Sequence, residues 1–162
     1  MKTWTQRPIE VRNLFNPAFC GLLLFRAMKE FQANDHKGMP FSLSLLVLPL
    51  VLPSSYRSMI LTSARSSILK MVTAHPEMLI GFANRTRHLV PCTLESLALL
   101  AMHNSFSVDE DGHFLCKSGM ALNKFDGSAE TEQCQHAAKL VGRHFARSGD
   151  RATIYVTLGI KP

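Results

Sequence analysis

A chain of 162 residues fits one domain and is long enough to close a single core without disulfide staples. With 46% hydrophobic and 19% charged residues it reads as globular, and its net charge of +6 admits a polyanion or an acidic protein as partner without requiring either. Its four cysteines, Cys20, Cys92, Cys116 and Cys134, are widely scattered with no signal peptide before them, which argues against a disulfide framework and for reduced thiols in a cytoplasmic protein.

Residues 1–12 read as an N-terminal arm, in which Trp4, Arg7 and Arg12 are residue types that anchor interfaces. The domain proper then occupies 13–162. Asn16 followed by Pro17 predicts a helix start: the Asn side chain accepts from an orphan backbone N–H, and Pro fits the first helical position. Phe19, Leu22, Leu23, Ala27 and Phe31 recur at helical spacing behind it, and the helix is expected to fade near Asn34 and end by Gly38. The apolar run from Leu43 to Leu52 is ten residues, too short for the ~20 that a membrane helix needs. It reads as a buried helix kinked at Pro49 or as a buried extended segment. Core is the preferred reading of this run, and a docking surface is the lesser alternative, raised by the density of large apolar residues over Leu22 to Phe25 and Leu45 to Leu52.

A Ser-rich turn is expected at Pro53-Ser-Ser55, then a helix capped by Ser63 and ending near Ala74, because the residue before Pro76 is pushed out of the α region. A helix from Glu77, carrying Leu79, Phe82, Ala83 and Leu89, should stop before Pro91. Thr93 should cap another, through Leu94, Leu97, Ala98 and Ala101 to about Asn104. Two alternating strands flanking an Asp-Gly turn predict a hairpin at about 105–116. A further helix is expected over 129–147, with Glu130 and Glu132 in its first turn and an apolar stripe of Cys134, Ala137, Val141 and Phe145. Thr153 to Thr157 has strand propensity, but Asp150 and Gly159 punctuate it as a helix, so C-terminal helices should occupy about 129–158. The expected fold class is mostly α with a small β-hairpin, and helices followed directly by a hairpin make a winged-helix-like single domain.

Catalytic and cofactor signatures do not emerge. There is no Gly-x-Ser-x-Gly elbow and no phosphate-binding Gly-rich loop. His113-x-x-Cys116 and Cys134-x-His136 are poorly spaced for zinc, and the acidic turn Asp109-Glu-Asp111 reads as a solvated hairpin tip. The expectation is a protein that is not an enzyme and has no metal or cofactor. For DNA, the helix before the hairpin should carry base-reading side chains, yet 93–104 contains no Lys or Arg and the wing tip is acidic. The candidate contacts are instead Arg57, Arg65, Lys70, Arg85 and Arg87, set against the single Glu77. They suit a phosphate backbone without sequence preference, an acidic face of a partner protein, or plain solvent.

The chain also carries a resemblance, sharpest in Arg7-Pro-Ile-Glu-Val-Arg-Asn-Leu-Phe-Asn-Pro-Ala-Phe-Cys-Gly-Leu-Leu-Leu24 and continuing through 46–52, 81–91, 140–146 and 152–162. It resembles the middle component of bacterial three-component ABC systems. The resemblance implies a small accessory subunit beside an ABC ATPase of the structural-maintenance-of-chromosomes (SMC) type and an effector, often a nuclease, in anti-phage or anti-plasmid defence of the Lamassu kind. It implies protein partners, DNA met non-specifically and through the complex, and no membrane. Because none of the motifs is catalytic, the expected role is a non-catalytic adaptor that bridges ATPase and effector. The alternative is a stand-alone winged-helix DNA-binding regulator.

Overall fold

The computed structural model describes residues 15–117 and 127–161. Among these, seven α-helices, one short 3₁₀ turn and a three-stranded antiparallel sheet give a mostly helical fold. Helix α1 (Pro17–Asn34) starts as the sequence predicts, with Asn16 Oδ1 accepting from the Ala18 N–H at 2.9 Å and Pro17 in the first turn. Cys20, Leu23, Leu24, Ala27 and Met28 are fully buried, and α1 packs chiefly against α5 and α6. Strand β1 (Met39–Pro40) leads directly into α2 (Phe41–Val51), the apolar run.

Helix α2 is a helix throughout, with Pro49 inside it. It is covered by α1, α3, α5 and α6, so most of its side chains are buried, as is most of the 22–25 stretch. These segments are core, as preferred, rather than a docking surface, because α2 is surrounded by helices and not laid on one face. No single helix among the described residues is long and apolar enough to cross a membrane. Helices α2 and α3 pass that test only as a pair, bent by 104°.

Pro53 and the serines after it open a helix instead of a turn: α3 (Ser54–Thr62) begins at Pro53. The reason is the spacing of its interior residues, Tyr56 and Ile60, one helical turn apart and both buried. Ser63 terminates α3, and it is Ser67 that caps α4 (Ile68–Ala74), its Oγ accepting from the Lys70 N–H at 3.3 Å. After the boundary at His75, a 3₁₀ turn (Pro76–Leu79) and Gly81, with φ +69°, lead into α5 (Phe82–Met102).

The two helices expected over 77–90 and 93–104 are thus largely one helix that runs through Pro91. Pro91 offers no N–H to the Arg87 carbonyl, but both residues face solvent, where water can take up that carbonyl. Thr93 is no cap; its hydroxyl donates back to Leu89 O at 3.1 Å, and Ser96 does the same to Cys92 O at 2.8 Å.

The hairpin of β2 (Phe106–Val108) and β3 (His113–Cys116) stands where the Asp-Gly turn predicts it, but β1 adds a third strand, in the order β1-β3-β2. Met39 pairs with Phe114, Val108 faces Phe114 from the other side, and Phe41 N donates to Gly112 O at 3.0 Å. Cys116 N donates to Gln32 Oε1 of α1 at 2.7 Å, so the hairpin is fastened to the helices. Helix α6 (Ala129–Arg147) buries its predicted stripe of Cys134, Ala137, Val141 and Phe145. The ambiguous end is helix α7 (Arg151–Thr157), with Asp150 Oδ1 accepting from the Thr153 N–H at 2.8 Å. Every helix contributes to one buried cluster running from Cys20 to Leu158.

Candidate functional site

The five basic residues singled out by the sequence do not share one face. Arg57 lies inside, 3% exposed. Its Nη1 donates to the carbonyls of Val51 (3.3 Å) and Leu52 (2.8 Å) at the end of α2, and its Nη2 meets Glu130 Oε1 at 2.9 Å on the first turn of α6. Arg57 thus ties three helices together and is not offered to a partner. A local charge count cannot distinguish this from an exposed cation, because Glu130 is 73 residues away in the chain.

Arg85 is half-buried with its guanidinium carbon 4.6 Å from the centre of the Tyr56 ring, a cation–π stack. Its Nη1 has no hydrogen-bond partner among the described residues, while the Tyr56 hydroxyl donates to Met78 O at 2.8 Å. Arg65, Lys70 and Arg87 are exposed. Trp4, Arg7 and Arg12 lie outside the described residues.

Features the sequence did not reveal are longer-range. Nε and Nη2 of Arg143 both donate to Glu30 Oε1, at 2.9 and 2.7 Å, joining α6 to α1. Arg26 Nε donates to the buried Gln135 at 3.0 Å across the same pair of helices. The thiols of Cys20 and Cys92 approach to 3.7 Å in the core. Contact with Cys92 and burial push the Cys20 thiol far above its ordinary range, and burial pushes Cys116 up to about 12. His144 is buried with Nε2 unpartnered among the described residues; burial, aided by Arg147 and Arg143, lowers its pKa.

An open cleft of about 600 Å³ lies between the end of α1, the hairpin turn and the start of α7. Asp35, Asp109, Asp111 and Asp150 line it, with His113, Lys37 and Arg151. Asp109, Asp111 and His113 bring one possible ligand atom each within 4.8 Å of one another. The carboxylates are mostly engaged in holding the backbone. Asp109 Oδ1 accepts from the N–H groups of Asp111 (3.0 Å) and His113 (2.8 Å), and Oδ2 meets His113 Nδ1 at 3.1 Å. The His113 backbone N–H above all holds the Asp109 carboxyl below its usual range, and the Thr153 N–H does so for Asp150. His113 and Cys116, an odd number of positions apart on β3, point to opposite faces of the sheet and so do not form a pair.

The surface holds a feature of another kind. Leu69 of α4, Leu79 and Ile80 at the 3₁₀ turn and Val156 of α7 are exposed large aliphatic residues, although each element also buries a neighbouring side chain. Helical spacing marks the buried partners, but only the packing of α4 on α7 reveals that the exposed ones sit on adjoining elements.

No curated protein and no solved structure matches this chain. The family described as ABC-three component (ABC-3C) system Middle Component 3 matches it over residues 4–162, from the arm to the end of α7 and beyond. With nearly the whole chain covered, the protein belongs to the family of Middle Component 3 proteins of ABC-three component systems.

Proposed function

We propose that the protein is a non-catalytic adaptor that bridges an SMC-like ABC ATPase and an effector nuclease in a cytoplasmic anti-phage or anti-plasmid defence system. The observation that carries this reading is the family match over residues 4–162, whose name places the chain among the parts of a multi-component ABC system. The packing is in keeping with it. Arg57, Glu30 with Arg143, and Asp109 with His113 are engaged within the fold, while Arg65, Lys70, Arg87 and the aliphatic residues of α4, the 3₁₀ turn and α7 face outward. The order α1-β1-α2, then α5-β2-β3 with β1 against β3, supports a winged-helix-like architecture with α3, α4 and the 3₁₀ turn as additions.

Co-expression of the tagged chain with the ATPase and effector encoded beside it tests the proposal. Stoichiometric recovery of both is expected, and a lone monomer or dimer refutes bridging. Reversing charge at Arg65 and Arg87 should weaken association with protein or DNA, and unchanged binding removes these residues from the interface.

One observation favours the DNA-binding regulator as second reading: Arg85 and Arg87 lie on the same helix that leads into the hairpin. They sit at its far end, however, Arg87 about 22 Å and Arg85 about 26 Å from Met102 at 1.5 Å per residue. The half of α5 next to the hairpin carries no Lys or Arg, and the turn is acidic. Salt-sensitive binding of a DNA fragment by the isolated protein would favour the regulator.

A further inference from the structure

Of the eight exposed large apolar residues among the described ones, four lie on α4, at the 3₁₀ turn and on α7. Ile80 is 75% exposed, Val156 68%, Leu69 57% and Leu79 37%. Single exposed aliphatics are ordinary on any protein, but four on α4 and the two elements that pack against it are not. Leu79 reaches across to the turn after α7, with its Cδ2 3.9 Å from where a Cβ on Gly159 would stand.

Cations outnumber acids around these residues. Arg65, Lys70, Arg151 and Lys161 are exposed on the same elements and their flanks. The two acids there, Glu77 and Asp150, are exposed as well and bond within the chain, Glu77 with His75 Nδ1 at 3.1 Å and Asp150 with the backbone N–H and hydroxyl of Thr153 at 2.8 and 2.9 Å, so the surface is basic by four cations to two acids. We propose that the α4–3₁₀–α7 surface is the docking site for a companion component of the same ABC system, through an apolar face on that component edged by Asp and Glu.

This rests on the adaptor reading and adds to it the surface and the chemistry of the partner. Charge complementarity selects the occupant. A second copy of this chain related by a two-fold axis would bring the same cations together, at a cost in repulsion. An anionic membrane would match the charge, but Leu, Ile and Val are not the Trp and Tyr that settle at a bilayer interface.

The test co-expresses the full chain with its ATPase and effector and measures recovery of each companion on the tagged chain at low and high salt. The variants are L69D/I80D, K70E, and M102D as a control on an exposed apolar residue at the other end of α5. L69D/I80D should lower recovery of one companion about tenfold or more, K70E should lower it less and most visibly at low salt, and M102D should leave it unchanged. Far-ultraviolet circular dichroism and the thermal midpoint of each variant alone should match wild type, and K70E carries the test should the double variant not fold.

Equal recovery by wild type, L69D/I80D and K70E overturns the docking site while leaving the adaptor reading intact. Failure of wild type to recover either companion overturns the adaptor reading and the site with it. A wild-type dimer in isolation that L69D/I80D makes monomeric, or co-sedimentation with phosphatidylglycerol vesicles that L69D/I80D abolishes, assigns the surface to another occupant and overturns the proposal.

Discussion

Gly142 of α6 lies against the carbonyl of Ala27 in α1, so closely that a Cβ at position 142 would overlap the Ala27 oxygen. This is the point at which the helix with the predicted stripe meets the helix with the Asn-Pro start, and the absence of a side chain is what lets the backbones approach. Gly142→Ala should therefore destabilise the protein by about 2 kcal/mol, within the usual range for overpacking, despite the better helix propensity of Ala. Urea unfolding checks it; a variant as stable as wild type would mean that α1 and α6 separate at little cost.

Arg57 and Glu130 should respond unequally to removal. Arg57→Met leaves the Val51 and Leu52 carbonyls without their donor inside the protein and should cost about 1–3 kcal/mol. Glu130, whose side chain is 73% exposed, should cost at most about 1 kcal/mol as Glu130→Ala, because solvent screens its share of the pair. Equilibrium unfolding of the two single variants and the double variant gives both values and their coupling.

His144 sets a pH dependence whose sign follows from its lowered pKa. Below the ordinary value of 6.5 the unfolded chain takes up a proton that the folded chain refuses, since burial and the nearby Arg147 and Arg143 oppose charge on the ring. Stability should thus be unaffected by this group well above 6.5 and should fall as pH drops from 6.5 toward the folded pKa. His144→Met should flatten that part of the curve. Asp109 and Asp150, whose carboxyls are held low, contribute in a separate window below their ordinary 3.8, where protonation releases the turn and the α7 cap.

The thiols should be slow to alkylate. Burial raises Cys116 and Cys134, and contact with Cys92 together with burial raises Cys20, so thiolate is scarce near the ordinary thiol pKa of about 8.5. Iodoacetamide followed by mass spectrometry should find native protein largely unmodified and denatured protein carrying the label on all four cysteines. Fast native labelling at Cys20 would show that α1 and α5 part readily.

Much of this was legible in local sequence because the deciding signals are local. Asn16-Pro17, Asp150, Gly159 and the Asp-Gly turn each act within a few residues, and each element that they predict is present. What failed were the places where tertiary context outweighs a local rule. Pro91 and Thr93 look like a helix boundary, yet solvent accepts the freed carbonyl and Thr93 bonds backward, so α5 continues. Ser54 and Ser55 look like a turn, yet burial of Tyr56 and Ile60 holds α3. Two-residue β1 carries no strand pattern of its own and exists because β3 offers an open edge. The candidate contacts were the least legible, since whether an arginine points in or out depends on a partner such as Glu130 far along the chain.

Helix α5 joins the two ends of the molecule that matter most to this reading. It begins beside Ile80 and its aliphatic neighbours, and at Met102 it hands the chain to the hairpin, about 31 Å away at 1.5 Å per residue. Over that length it lacks one rung, at Pro91, on the side that faces water. The hairpin in turn cannot swing alone, being laced to Gln32 and Phe41. Because of those ties, a displacement of the hairpin draws the end of α1 and the start of α2 with it.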